Sequence, residues 1–226
     1  MSHDDNDVFW TPPSTPTPHQ VRLGTLMSTV ILASGSPARK KLLEDCGIIV
    51  TAIPTDCDES HGDIAPQDIV HLLARRKMEA YLAMNPYPLV PVITCDTLVH
   101  LGHEIFGKAA DYEEAFTYLG KMQGRSHQVS TGWALYLPLA EPIGTSHPSS
   151  LPFFSGIDTA DVAFRPLDSR QIHEYLATGE WQGAAGAYRI QGAGARLVRE
   201  ISGDWTTIAG LPISRISDMM ADTVST

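Results

Sequence analysis

The stretch Ile31-Leu-Ala-Ser34-Gly-Ser36-Pro37-Ala38-Arg39-Lys40-Lys41-Leu42 constrains this chain more than any other part of it. A short apolar run enters two serines separated by a glycine, then a proline and three consecutive cations. Serine caps helices and proline favours the first helical position, so the segment predicts a strand, a tight turn and a helix start. A helix N-terminus presents unpaired backbone N–H groups at the positive end of the macrodipole. Ser34, Ser36, Arg39 and Lys40 placed there would cradle a phosphate chain. Taken without its surroundings, the same segment is an ordinary capped helix with a solvated basic turn.

The rest of the chain bears on that choice. Its 226 residues are 43% hydrophobic and 19% charged, enough to bury a full core. The net charge of −10 gives no overall attraction for a nucleic acid polymer or an anionic membrane, so an anionic ligand needs a local cluster of cations. Arg39, Lys40, Lys41, Arg75, Arg76, Lys77 and Lys108 supply one in sequence, which favours small polyanions over long ones. Cys46, Cys57 and Cys95 match no zinc or redox spacing, and their odd number argues against a disulfide framework. With no apolar run of membrane-spanning length and an acidic, polar beginning, the chain reads as cytoplasmic.

Residues 1–26, rich in Asp, Pro, Thr and Ser, read as a disordered leader to a single domain over 27–226. Met27 leaves open whether translation begins there or at Met1. From Thr29 onward strand and helix patterns alternate: a strand over 29–33, a helix near 39–46, a strand over 48–53, and a helix over 66–84. A buried strand over 90–98 turns through Gly102 into a strand over 104–106, and a helix with an acidic start follows over 111–122. Long strands over 127–137 and near 157–164 are joined by a Pro/Ser/Gly-rich loop expected to protrude. A helix over 169–177, a glycine-dense stretch over 183–194, a strand over 195–201 and a last helix near Pro212 complete the pattern. The order predicts an α/β fold, a mixed twisted sheet flanked by helices, with two lobes around a central cleft.

Asp96-Thr97 ends an otherwise apolar strand, and a buried unpaired aspartate is costly, so Asp96 should face a cleft, a cation or a metal. Asp56, Asp58 and Glu59 offer further oxygen ligands. Carboxylates beside lysines and an anion-binding turn suit metal-assisted attack on phosphorus, because magnesium takes a few carboxylates plus phosphate oxygens. Alone, Lys77 reads as a solvated helix residue and Glu59 as a loop acid.

The ordered series Leu32-Ala-Ser34-Gly-Ser-Pro-x-Arg39, Asp58-Glu59, Leu73-Ala74-x-x-Lys77, Asp96-Thr97, Gly107-Lys108, Gly124-Arg125-x-His127-x-Val129-x-Thr131, Phe164-Arg-Pro-Leu167, Ala185-Gly-Ala-Tyr188-x-Ile-Gln191-Gly192 and Gly210-Leu-Pro212 resembles the Maf family of nucleoside triphosphate pyrophosphatases. The resemblance implies an ITPase-like fold and hydrolysis between the α- and β-phosphates, with a divalent metal such as magnesium or manganese. It implies that Asp96 is the catalytic acid and that Glu59 lies with Asp96 at the metal. It places Ser34, Arg39, Lys77 and Lys108 around the phosphates, and Thr97 and Gln191 at base selection. The Gln191 stretch resembles the branch acting on dTTP and UTP, and family members are often homodimers. Ala38 stands where the family usually has a second arginine, a lost contact that Lys40 or Lys41 would have to replace, and Ala184 stands where many members have lysine. A nucleotide-binding regulator of septum formation without turnover is the alternative. Whether Asp96 serves as base, metal ligand or both stays open.

Other motifs fail on context. Gly102-His-Glu-Ile-Phe-Gly107-Lys108-Ala109 has Walker A spacing, yet Ala109 lacks the hydroxyl that holds magnesium. Gly192-Ala-Gly194 precedes a strand and lacks the third glycine of a dinucleotide fingerprint. Cys95 reads as a core thiol, and His100 and His103 as residues of a solvated turn.

Overall fold

A computed structural model describes residues 10–138 and 152–224. Strand β1 (Thr29–Leu32) runs into the helix α2 (Pro37–Glu44), whose N-cap Ser36 accepts a hydrogen bond from the Arg39 backbone N–H. Strand β2 (Ile49–Ala52) returns parallel to β1, and the long helix α3 (Pro66–Met84) then leads to β3 (Val92–Leu101), parallel to β1 on its other side. The chain thus leaves β1 toward one sheet edge and comes back past it to β3. The two connections lie on opposite faces. Helix α2 buries Leu42 and Leu43 in one cluster with Leu32, Ile93 and Cys95, whereas α3 buries Met78, Tyr81 and Leu82 in another with Ala33, Val92 and Ala134. Alternate strand residues face opposite sides of a sheet, so the two clusters are its two sides.

Beyond β3, strand β4 (Glu104–Phe106) folds back as a hairpin, helix α4 (Tyr112–Met122) follows, and β5 (Ser126–Tyr136), β6 (Phe154–Phe164) and β7 (Val198–Ser202) extend the sheet in antiparallel order. The result is a mixed seven-stranded sheet, ordered β2-β1-β3-β5-β6-β7 with β4 beside β3. Helix α5 (Ser169–Leu176) is closed by an Asp168–Gln171 capping box.

Several expectations need correction. Residues 18–26 form a helix, α1 (Pro18–Leu26), where a disordered leader was expected. Thr17 and Gln20 make a reciprocal capping box, Pro18 occupies a first-turn position, and Leu23 is fully buried. Arg22 pairs with Asp218 of the C-terminal helix at 2.8 Å, so long-range packing supplies the order that local composition does not. Residues 1–9 of the expected leader, and most of the expected protruding loop, lie outside the described residues. The strand expected over 195–201 begins as a 3-10 turn (Ala193–Leu197), and only Val198–Ser202 is extended. A four-residue helix, α6 (Trp205–Ile208), precedes the last helix, α7 (Ile213–Val224). Finally, β3 runs on to Leu101, so His100 is not a solvated turn residue. It is buried and bonded to Ser130 Oγ at 3.0 Å and the Gly102 carbonyl at 3.1 Å.

Candidate active site

The register leaves a gap beside β3. Pairing with β1 ends at Leu32 opposite Ile93, and pairing with β4 starts only at Val99 opposite Phe106. Between them the strand has β5 on one edge and no strand on the other. This lies just past the carboxyl end of β1, at the point where the connections diverge to opposite faces, the usual place for a ligand crevice in an open α/β sheet. A cavity of about 830 Å³ opens there. Ser34, Arg39, Glu59 and Lys77 line it, and so do Asp96, Thr97, Lys108 and Gln191.

Asp96 and Thr97 are neighbours in a strand and therefore point to opposite faces. Asp96 faces α3, where Lys77 Nζ donates to its Oδ1 at 2.6 Å, both side chains being 14% exposed. The same ammonium lies 3.1 Å from Glu59 Oε1. Burial works against the Lys77 ammonium, but Asp96 and Glu59 outweigh it and hold its pKa above the ordinary lysine value. Lys77 is therefore a permanent cation between two carboxylates. Loop backbone reinforces the arrangement, since the Arg76 guanidinium of α3 donates to the Asp58 carbonyl at 3.0 Å and to the Ser60 carbonyl. Asp58 is outside the cavity lining, and its carboxylate accepts from the Ser60 N–H and hydroxyl.

On the other face, the Arg39 guanidinium makes four hydrogen bonds: to the Gly210 carbonyl at 2.8 Å, Ser34 Oγ at 3.0 Å, the Cys95 carbonyl at 2.9 Å and Thr97 Oγ1 at 2.9 Å. A guanidinium has five N–H donors, so one remains. Arg39 thus fastens α2, β3 and the turn after α6 together. Gly210 sits at φ 98, and a Cβ there would stand 3.1 Å from Arg39 Nε and 3.2 Å from Thr97 Oγ1, so only glycine leaves this junction open. Ser34 Oγ accepts from both Arg39 Nη1 and the Ser36 N–H at 3.3 Å, which occupies its two acceptor positions and frees its proton to donate into the cavity.

Lys108 is exposed just past the β3–β4 hairpin, on a strand-like bridge to Ala185, and makes no ion pair among the described residues. Gln191 is exposed at the end of the glycine-dense segment. Lys40 and Lys41, expected as stand-ins for an arginine at Ala38, are outside the lining and pair instead with Glu44 at 3.6 Å and Asp45 at 2.8 Å. Arg75 likewise turns away, to Glu79 and the Phe153 ring. Gly102 sits at φ 63 in the hairpin, so the Walker-like spacing is not a phosphate loop between strand and helix. The Cys95 thiol is fully buried, and burial pushes it up to about 12.

Over residues 29–223 the sequence matches the family described as Maf-like protein. The chain belongs to that family. A dTTP/UTP pyrophosphatase of Pelotomaculum thermopropionicum is 36% identical over 195 residues, spanning 86% of this chain and 96% of that relative. Another of the same name, from Symbiobacterium thermophilum, is 41% identical over 197 residues, spanning 86% of this chain and 93% of that one. A solved nucleoside-triphosphatase / dITP/XTP pyrophosphatase of Mycobacterium abscessus, 12% identical, aligns over 87% of this chain and 95% of that one with a TM-score of 0.37, too low for any argument from likeness.

In this Maf-like chain the cavity also holds residues that sequence reasoning passed over. Arg189 lines it while donating to the Glu180 and Gln182 carbonyls, each at 2.8 Å. Buried Tyr188 lines it too, its hydroxyl 3.0 Å from His127 Nε2. His127 and Tyr188 do stand in the ordered motif series, but nothing in their spacing marks them as partners across 61 residues.

Proposed function

We propose that this protein hydrolyses a pyrimidine nucleoside triphosphate of the dTTP/UTP type between its α- and β-phosphates, releasing the monophosphate and pyrophosphate. The observation that carries the reading is the Glu59–Lys77–Asp96 cluster on one wall of the cavity, with the Ser34 turn and Lys108 lining the same space. The names borne by the relatives add the substrate class.

The residues divide the work as follows. Lys77, charged at any physiological pH, offsets charge on the phosphate chain and holds the Asp96 carboxylate in place. The Ser34 hydroxyl donates to a phosphate oxygen, and Lys108, free of ion pairs among the described residues, adds a mobile cation at the cavity mouth. Arg39 contributes a fixed positive charge and its last donor. Asp96 is the acid placed to take the proton of the attacking water. A carboxylate is a weak base toward free water, so the reaction needs that water activated.

A divalent cation fits that need. Two carboxylates already meet at a single lysine, and magnesium asks for only one or two carboxylates when substrate phosphates complete its shell. Asp96 and Glu59 would hold it, and when bound it lowers the pKa of water and polarises the phosphoryl oxygens.

The test is pyrophosphate release by the purified protein from a panel of nucleoside triphosphates, with and without magnesium. Release from dTTP and UTP, lost in Asp96→Asn with binding retained, is expected. Binding of nucleotide without turnover across the panel would overturn the reading.

A further inference from the structure

Arg76 stands between Arg75 and Lys77 in a basic run on α3, yet the cavity lining does not include it. Its guanidinium is spent on the loop over 53–65 that joins β2 to α3. One nitrogen, Nη1, donates to the Asp58 carbonyl at 3.0 Å and to the Ser60 carbonyl, so its two N–H bonds straddle Glu59. Between those carbonyls the chain turns tightly, because the Asp58 carboxylate accepts from the Ser60 N–H at 2.9 Å and from the Ser60 hydroxyl at 2.8 Å. Glu59 therefore projects from a turn that is closed on itself and pinned on both flanks.

Among the described residues, every hydrogen bond or ion pair that residues 56–61 make outside their own loop goes to Arg76 or to Lys77. The Glu59–Lys77 contact does not supply that order alone. The Glu59 side chain is 65% exposed, and an ion pair open to water contributes little against the entropy of holding a long side chain. Fixing the backbone beneath the carboxylate removes much of that entropy before the pair forms. Arg76 and Lys77 are consecutive on one helix, so the clamp and the ammonium keep a fixed relation to each other.

Resting on the function proposed above, we infer that Arg76 is a positioning residue for the reaction: by clamping the carbonyls on either side of Glu59, it holds that acid on the ammonium that also holds Asp96. The basic run is thereby divided. Lys77 faces the reacting centre, and Arg76 fixes the wall from which Glu59 reaches it. With the clamp removed, Glu59 is released toward solvent and the cavity loses one of its two paired carboxylates. A long-range pull on an anionic substrate is the competing use of the Arg76 charge, and that pull would act whether or not Glu59 is present.

The test is a double-mutant cycle on kcat/KM for UTP, using Arg76→Met, Glu59→Ala and the two combined, each with its thermal melt. Methionine keeps the helix and an aliphatic stem but has no N–H donor. In Arg76→Met, kcat/KM is expected to fall by about tenfold, and no further than in Glu59→Ala. Once Glu59 is already alanine, the same change should cost less than about twofold. The second readout needs no turnover. Endoproteinase Glu-C cuts after glutamate, and under native conditions it should cleave after Glu59 about tenfold faster in Arg76→Met than in the wild type, because the clamp limits local opening. Additive losses in the cycle, the signature of a charge acting on the substrate directly, would overturn the positioning role and leave the pyrophosphatase reading intact. Equal cleavage after Glu59 in both proteins would do the same. A wild-type protein that hydrolyses no triphosphate would overturn that reading, while cleavage after Glu59 still decides whether Arg76 clamps the loop.

Discussion

Lys77 Nζ stands 2.6 Å from Asp96 Oδ1 and 3.1 Å from Glu59 Oε1, so one ammonium joins the middle of strand β3 to an acid on a separate loop. Replacing it with methionine leaves the Asp96 carboxylate largely buried without its cation, a loss of about 3 kcal/mol. Because the Lys77 pKa is raised on folding, the stability it supplies is complete below the unfolded lysine value of 10.5 and is lost as the pH rises through the higher folded value. Chemical denaturation of wild type and Lys77→Met from pH 7 to 11 should show a constant difference that narrows only above about pH 10.5.

Asp96→Asn keeps shape and an oxygen for Lys77 but removes the charge and the proton acceptor. Turnover is expected to fall by about a thousandfold or more, while the protein stays folded with a lowered unfolding midpoint, because Lys77 keeps only Glu59 and an amide oxygen as partners. A steady-state assay beside a thermal melt separates this from simple unfolding.

Gly210→Ala introduces a Cβ where Arg39 Nε and Thr97 Oγ1 stand 3.1 and 3.2 Å away, on a backbone at φ 98. The strain is about 1–3 kcal/mol. KM for the preferred nucleotide should rise more than kcat falls, because the junction that yields holds the binding groups while the Asp96–Lys77 pair is on the other face.

Burial holds the His127 imidazole down at about 3, far below its ordinary 6.5. In that interval the unfolded chain binds a proton that the folded one refuses. Stability present at neutral pH is therefore lost as the pH falls from about 6.5 toward 3, by up to about 1.4 kcal/mol per pH unit. His127→Gln should flatten this acid limb in urea unfolding between pH 6 and 4, at the cost of the Tyr188 contact at pH 7.

How much of this was written in the sequence depends on the range of the forces involved. The helix over 66–84 and the hairpin through Gly102 were legible because apolar spacing, a first-turn proline and a turn glycine are local signals. Helix α1 was not, because Leu23 is buried by packing against elements far along the chain. Helix α6 is four residues long, too short for any periodicity, yet its Thr207 carbonyl accepts from the buried Thr131 hydroxyl at 2.8 Å and ties α6 to β5. The eight candidate site residues came partly from local chemistry at Ser34, Arg39 and Asp96 and otherwise from family resemblance. That Arg39 would spend four of its donors on protein, and that Lys40 and Lys41 would turn outward to Glu44 and Asp45, follows from the placement of β3 and the Gly210 turn, which no spacing encodes.

The most direct measurement is product analysis of UTP incubated with the protein and magnesium, by anion-exchange chromatography. Cleavage at the α–β bond predicts UMP and pyrophosphate in equal amounts, absent in Asp96→Asn. UDP with inorganic phosphate, or UTP recovered intact, would contradict the account.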